Sequence, residues 1–339
     1  MKKFVCILLA LALMFAMVAC SSAPQETTGE ASATESAPAE EAPAIEEEAA
    51  VEETKTFKVA INNWGQANFF ARAGKTAMED ELTKLGCEVI PTVTDNIADR
   101  MEAIENMIMQ DVDAIIIQEG DITECESAVL EAKEAGIIIG SMDSGTADYV
   151  DIYVSSDNSN LGKLTAEALV EAMGGEGGRV IEIINDSGSM IRQRKEAAHE
   201  VFDAAGVEVA YSLVYSWPDY DADIMDQVSA ILTADTNING VFASFDGVGI
   251  SAYKAIKEFG LEDQIKIVGV DGDPDAYALM VADGESCNYI CTMAQDPDTI
   301  ARTCVNEVYK LLCGEEIESN VIYIPGIQVT PANVADFVE

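Results

Sequence analysis

From residue 57 to residue 270 the chain alternates between short apolar runs and stretches of helical period, and few architectures accept that rhythm. The apolar runs fall at 57–61, 87–93, 114–118, 137–142, 180–184, 207–214, 240–245 and 265–270. Helix-period segments between them occupy 99–109, 123–135, 161–173, 192–205, 224–232 and 249–259. Gly86, Gly136, Gly206 and Gly260 close several of these segments, as helix-ending residues do. Runs that are apolar throughout belong to strands buried on both faces, and parallel neighbours of that kind need a crossover helix between them. The rhythm predicts an α/β chain of doubly wound parallel sheets. Residues 56–339 are too many for one simple core and about right for two lobes.

In open parallel sheets, ligands bind in the crevice beyond the carboxyl ends of the strands, so recognition chemistry is sought at each strand's exit. At the first exit, a strand carrying Phe57, Val59 and Ile61 runs into the loop Asn62-Asn63-Trp64-Gly65-Gln66-Ala67-Asn68, and a helix begins near Phe69. Phe69 and Phe70 stand about 100° apart on that helix, so at least one is expected to look into the crevice. Later exits read Asp143-Ser144-Gly145, then Asn185-Asp186-Ser187-Gly188-Ser189 leading to Arg192 and Arg194. Trp217-Pro218-Asp219-Tyr220, Phe245-Asp246-Gly247 and Asp271-Gly272 follow. This mixture suits a neutral polyol: a carboxylate accepts from vicinal hydroxyls, Arg and Asn donate back, and flat rings cover C–H faces. Asp143, Asp246 or Asp271 taken singly could be a helix N-cap, but their shared position favours the cleft.

Ahead of this core, Lys2 and Lys3 precede an apolar run over 4–18, short of the roughly 20 residues that a bilayer-spanning helix needs. With Met17-Val18-Ala19-Cys20-Ser21-Ser22 behind it, this is the pattern of an export signal. Residues 21–55 hold ten Glu, one Lys and no aromatic residue, and read as a disordered, self-repelling acidic linker. The chain carries 61 acidic and 19 basic residues, a formal charge of −42. Such a field repels phosphate backbones and anionic headgroups, which excludes nucleic acid as a partner.

Several apparent motifs carry no chemistry. Cys287 and Cys291 stand about 13 Å apart along a strand, and Cys304 and Cys313 about 13 Å apart along a helix. A disulfide spans about 7 Å between Cα atoms, so mostly buried free thiols are expected. No metal and no cofactor are expected either, with His199 the single histidine and placed in a helical segment. Residues 174–178 are glycine-rich but precede a strand, which makes them a turn and not a phosphate cradle. Asp219, Asp221 and Asp223 imitate the start of a calcium loop whose sixth and twelfth positions, Ile224 and Ala230, do not fit.

Phe69-Phe70, Asp143, Arg192-Gln193-Arg194, Phe245-Asp246, Gly269-Val270-Asp271-Gly272 and Ala294-Gln295 recur in order across nearly all of residues 57–325. In this the chain resembles the ribose-type periplasmic sugar-binding proteins, substrate-binding subunits of ABC importers. The resemblance implies two doubly wound parallel-sheet lobes of the type I periplasmic binding protein kind, joined by a three-crossover hinge. It implies crossovers near Ser156, Gln295 and Pro325, hence one lobe from 56–155 and 296–324 and a second from 156–295 and 325–339. Carried over by position, Asn63, Phe69, Phe70 and Asp143 are the first lobe's ligand contacts. Arg194, Tyr220, Phe245 and Asp271 are the second lobe's, with Gln295 at a crossover and Trp64 and Trp217 reshaping the aromatic clamp.

The start of the chain resembles a lipobox, which makes residues 1–20 a lipoprotein signal peptide. Cys20 then becomes the lipid-modified residue that holds the protein at the outer face of the bacterial cytoplasmic membrane or in the periplasm. Three positions depart from the ribose and galactose binders: Ser144 stands where Arg is common, Phe245 where an amide is usual, and Asn68 where Pro precedes the Phe pair. The implied role is capture of a monosaccharide or related polyol for an ABC permease, by a monomer without enzymatic activity. A sensor presenting its ligand to a membrane receptor is the alternative, and an enzyme using Asp143 and Asp271 as its carboxylate pair is more remote. A LacI-type regulator shares the core but needs a basic helix-turn-helix, which residues 1–55 do not supply. Truncating Asp143 or Arg194 is expected to weaken binding and leave the fold nearly intact.

Overall fold

The computed structural model describes residues 55–338, so the leader, Cys20 and the acidic linker lie outside the described residues. In chain order, β1 (Lys58–Trp64), α1 (Phe69–Lys84), β2 (Glu88–Thr94), α2 (Ile97–Met109), β3 (Ala114–Gln118), α3 (Glu126–Glu134), β4 (Ile138–Met142) and β5 (Ile152–Ser155) build the first lobe. The second lobe begins with α4 (Asn158–Ala172), β6 (Arg179–Ile183), α5 (Ser189–Ala205), β7 (Glu208–Leu213) and α6 (Tyr220–Ala234). It continues through β8 (Gly240–Ala243), α7 (Asp246–Phe259), β9 (Lys266–Asp271), α8 (Pro274–Asp283) and β10 (Tyr289–Ala294). Then α9 (Pro297–Leu312) and β11 (Val321–Tyr323) return to the first lobe, and β12 (Ile327–Val329) to the second.

Two six-stranded sheets result, ordered β11-β5-β4-β3-β1-β2 and β12-β10-β9-β8-β6-β7. All pairs are parallel except β10 with β12, which is antiparallel. The strand order reverses beside β1 in one sheet and beside β6 in the other, and at such switch points the loops part to leave a crevice. Helices cover both faces of each sheet, which explains the unbroken apolar runs: Ile115, Ile116 and Ile117 on β3 are fully buried on alternate sides. The chain passes between the sheets three times, after Ser155, after Ala294 and after Tyr323. Among the described residues no helix is long and apolar enough to cross a membrane, and the six cysteines are free thiols.

The first strand is longer than its apolar run. Pairing with β2 continues to Trp64 opposite Thr94, so Asn62, Asn63 and Trp64 are strand residues and not part of a loop. The asparagines are tolerated at the centre of a sheet because each finds a sideways partner. Asn62 donates to Thr92 and Thr94 and accepts from Arg100 Nε at 2.7 Å, and Asn63 donates to Gln118. Helix α1 starts at Phe69 because Asn68 caps it, accepting from the Ala71 amide at 2.6 Å.

Candidate functional site

The facing strand ends of the two lobes enclose a cavity of about 360 Å³. Three carboxylates enter it from three strand exits: Glu119 after β3, Asp143 after β4 and Asp271 at the end of β9. All three have left-handed backbones, with φ of 53°, 54° and 125°, and Asp111 is the one other described non-glycine residue with positive φ. Such conformations cost on the order of 1–3 kcal/mol each and persist where surrounding bonds over-determine them. Here the bonds are visible. The Glu119 amide donates to Met142 O at 2.9 Å, and its carbonyl accepts from Arg100 Nη1 at 2.8 Å and Ser144 Oγ at 2.7 Å. The Asp143 amide donates to Val154 O at 3.0 Å, and the Asp271 carbonyl accepts from the Gln295 amide at 3.0 Å.

A buried relay of polar groups joins the lobes. Asp143 accepts from the Ser155 hydroxyl and, at 3.1 Å, from the Asn158 amide, whose own oxygen accepts from Arg194 Nε at 2.8 Å. Arg194, carried inward by α5, also donates to Ser244 O at 2.8 Å and stands 3.7 Å from Asp271. Asp271 accepts from Gln295 Nε2 at 2.9 Å, and burial raises its carboxyl well above the ordinary range although Arg194 opposes the shift. Glu119 accepts one bond, from Asn68 at 3.2 Å, and burial next to Asp143 pushes its carboxyl up to about 8. Rings form the walls. Trp64 carries the Arg100 guanidinium 4.6 Å over its ring, and Tyr215 meets Phe245 edge to face at 5.4 Å.

Of the residues singled out in the sequence, the cavity wall contains Trp64, Phe70, Asp143, Arg194, Trp217, Phe245, Asp271 and Gln295. Three others are elsewhere. Asn63 is fully buried inside β1, where the sheet on either side takes it away from the crevice. Phe69 does not line the cavity, and Phe70, one helical step on, does. Tyr220 stands behind the wall, stacked on Trp217 at 6.1 Å and edge-on to Phe245 at 5.2 Å. Asp246 is structural: its carboxylate accepts from the Gly272 and Asp273 amides, Thr292 and Tyr289 at 2.7–2.9 Å. Arg194 is among the largest fully buried side chains, so its truncation cannot leave the fold nearly intact.

Glu119, Tyr215 and the linking Asn158 have no place in the sequence reading, and Asn68 enters it only as a departure from the family pattern. Glu119 had a signal, since it directly follows the apolar run 114–118 just as Asp143 follows its own run. The calcium-like acids are spent locally, Asp221 on Lys254 and Ser251 and Asp223 on the Ser216 amide, and the described residues contain no cluster able to hold a metal. His199 contacts Glu182 at 2.6 Å and does not line the cavity. The lobes touch around the cavity mouth. Ser189 donates its amide to Gly120 O at 3.2 Å, Arg192 pairs with Asp121, Tyr220 reaches Ala67 O at 3.4 Å, and the Trp217 indole lies on Gly65.

Comparison with known proteins places this geometry in context. The family described as "Periplasmic binding protein domain" matches residues 59–316. The ribose import binding protein of Bacillus subtilis is 25% identical over 325 residues, covering 95% of this chain and 97% of that protein. Its counterpart in Escherichia coli is 28% identical over 250 residues, covering 72% and 81%. Among solved structures, an ABC transporter periplasmic solute binding protein from Actinobacillus succinogenes with bound D-allose is 25% identical, with a TM-score of 0.74 over 83% of this chain and 100% of that one.

Proposed function

The chain belongs to the periplasmic binding protein domain family, and on that premise we propose that it is an extracytoplasmic solute-binding protein that traps a sugar or small polyol between its lobes and delivers it to an ABC permease. The observation that carries the reading is the cavity itself: carboxylates on strained strand ends, one buried arginine and flat rings, enclosed by two lobes that meet at its mouth. Fixed acceptors and donors of this kind match hydroxyls, and rings match C–H faces. The names of the relatives, ribose import binding proteins, and the D-allose in a structural neighbour point the same way. The ligand contacts proposed are Trp64, Phe70, Asp143, Arg194, Trp217, Phe245, Asp271 and Gln295, with Glu119 added.

The reading is of capture without conversion. Asp143 and Asp271 are each tied to neighbouring side chains and held rigid, which serves recognition better than proton traffic. We place the division between lobes at the three passages near Ser156, Gln295 and Pro325. The anchoring reading rests on the sequence around Cys20, and a monomer tethered there by its lipid and acidic linker would reach a permease in the same membrane. Cys20→Ala is expected to abolish lipid labelling and release at least part of the protein from the membrane; unchanged labelling overturns the anchor. Ligand capture is tested by thermal shift of the full chain against pentoses, hexoses and polyols. A true ligand at about 100 times its Kd adds about 2.7 kcal/mol of stability, and a panel without any stabilising member overturns the reading.

A further inference from the structure

Resting on the reading of this cavity as a sugar site, we propose that Glu119 selects a ligand carrying a protonated amine, an aminated sugar or aminated cyclitol, over the all-hydroxyl counterpart. The argument begins with charge. Five acidic residues line the cavity, Glu119, Asp143 and Asp271 inside and Asp95 and Glu124 at its rim, and Arg194 is the only guanidinium in its wall among the described residues. Arg100 is behind Trp64 and spends its donors on Asn62, Gln118 O and Glu119 O, while Arg192 is taken by Asp121. Arg194 compensates Asp271, and Asp143 has the Ser155 hydroxyl and the Asn158 amide. Glu119 is paired with no cation, and Arg194 and Arg100 act on it only from a distance. Its Oε1 accepts one amide bond and its Oε2, closed off from solvent, has no partner at all.

A second buried group tells the same story. Gln295 is 6% exposed, lines the cavity, gives its amide to Asp271 and leaves its oxygen unpartnered. The unspent buried groups on this wall are thus the Gln295 oxygen, the Trp217 indole N–H and Glu119 Oε2, which becomes a second acceptor once its carboxyl ionises. A hydroxyl offers one donor and no charge, whereas an ammonium offers three donors and a charge that draws the Glu119 carboxyl into its ionised form. The aromatic walls attract a cation as well.

Proton balance gives the proposal a second readout. In the ligand-free protein Glu119 keeps its proton at pH 7, because burial and Asp143 raise its carboxyl to about 8. When an ammonium seats against it the carboxyl ionises, and the proton leaves to the buffer. The other groups facing this spot are Asp143, Asp271, Arg194 and, at the rim, Glu124 and Asp95, so a variant must show that the proton comes from Glu119.

The experiment is calorimetry at pH 7 with matched pairs: glucosamine and glucose, galactosamine and galactose, an aminocyclitol and inositol. Each is run in two buffers of different ionisation enthalpy, on the wild-type chain and on Glu119→Gln. The expected result is an amine that binds wild type at least tenfold more tightly than its hydroxyl partner and releases a proton. In Glu119→Gln that preference and the proton release are lost. Hydroxyl members binding as tightly as amines, or tighter, overturn the inference and leave the sugar reading standing. An amine preference that survives in a folded Glu119→Gln protein overturns the role of Glu119. Failure of both series overturns the sugar reading and the inference together. The wild-type comparison decides the amine preference even if the variant does not fold.

Discussion

Asn158 is the residue on which the two lobes' principal charges meet, giving its amide to Asp143 and taking a bond from Arg194. Arg194→Ala therefore removes more than a ligand contact. It leaves Asp271 buried without a cation and the Ser244 carbonyl without its donor, and breaking a buried pair from one side costs about 3–5 kcal/mol. Binding should fall at the same time by roughly ten to a hundred times, as expected for one lost charge-assisted bond. Asp143→Ala should show a similar loss of affinity with a smaller loss of stability. Urea unfolding beside calorimetry separates the two, and an Arg194→Ala protein as stable as wild type would contradict the buried pair. Glu119 sets a pH dependence of its own. An ordinary Glu ionises near 4.5, whereas the folded protein holds this proton to about 8. Between those values the folded state binds a proton that the unfolded chain has released. Stability of the ligand-free protein must then fall as pH rises through that window, by at most about 1.4 kcal/mol per pH unit for this group. Glu119→Gln should flatten the profile of urea midpoints from pH 5 to 8. Parallel profiles in the two proteins would show that the proton is not there.

At the scale of elements, α4 and α5 approach closely in the second lobe. A Cβ on Gly162 would fall inside the backbone of Arg194, so the glycine is what lets α5 come near enough to carry Arg194 into the cavity. Alanine is the better helix former by about 1 kcal/mol. Even so, Gly162→Ala should destabilise by roughly 1–3 kcal/mol through overpacking and should weaken ligand binding with it; a more stable variant in urea titrations would refute the contact. The same elements show what can be read from a sequence. Strand β3 coincides with its apolar run because nothing polar interrupts it, and Asp143 and Asp271 were found because acids at strand exits are conspicuous. Helices α2 and α5 begin two or more residues before their periodic patterns, at Ile97 and Ser189, and their first turns carry Ile97, Met190 and Ile191 to the cavity wall. Asn62 and Asn63 hid the end of β1 because their partners, Thr92, Thr94, Arg100 and Gln118, are distant in sequence. Strands β11 and β12, three residues each, have no period to detect.

For the molecule as a whole, the contacts at the cavity mouth imply a hinge whose closed form is assembled from both lobes. Gly65, with φ of 65°, accepts the Trp217 ring where a Cβ would come within 2.6 Å of it. Small-angle scattering should show the wild-type protein compacting with a saturating sugar and Gly65→Ala compacting less, with weaker binding. A wild-type radius of gyration indifferent to saturating ligand would rule out the hinge. One feature of the topology reaches beyond the bound state. The first lobe's core joins Val59, Ile61 and Phe70 to Ile300, Ala301, Cys304, Val305 and Val308 of α9, and its sheet is finished by β11. A nascent chain that has emerged as far as β10 thus owns nearly all of its second sheet but cannot close the core of its first. The half that is begun first therefore stays open until α9 and β11 have been made, and only β12 of the second sheet comes later.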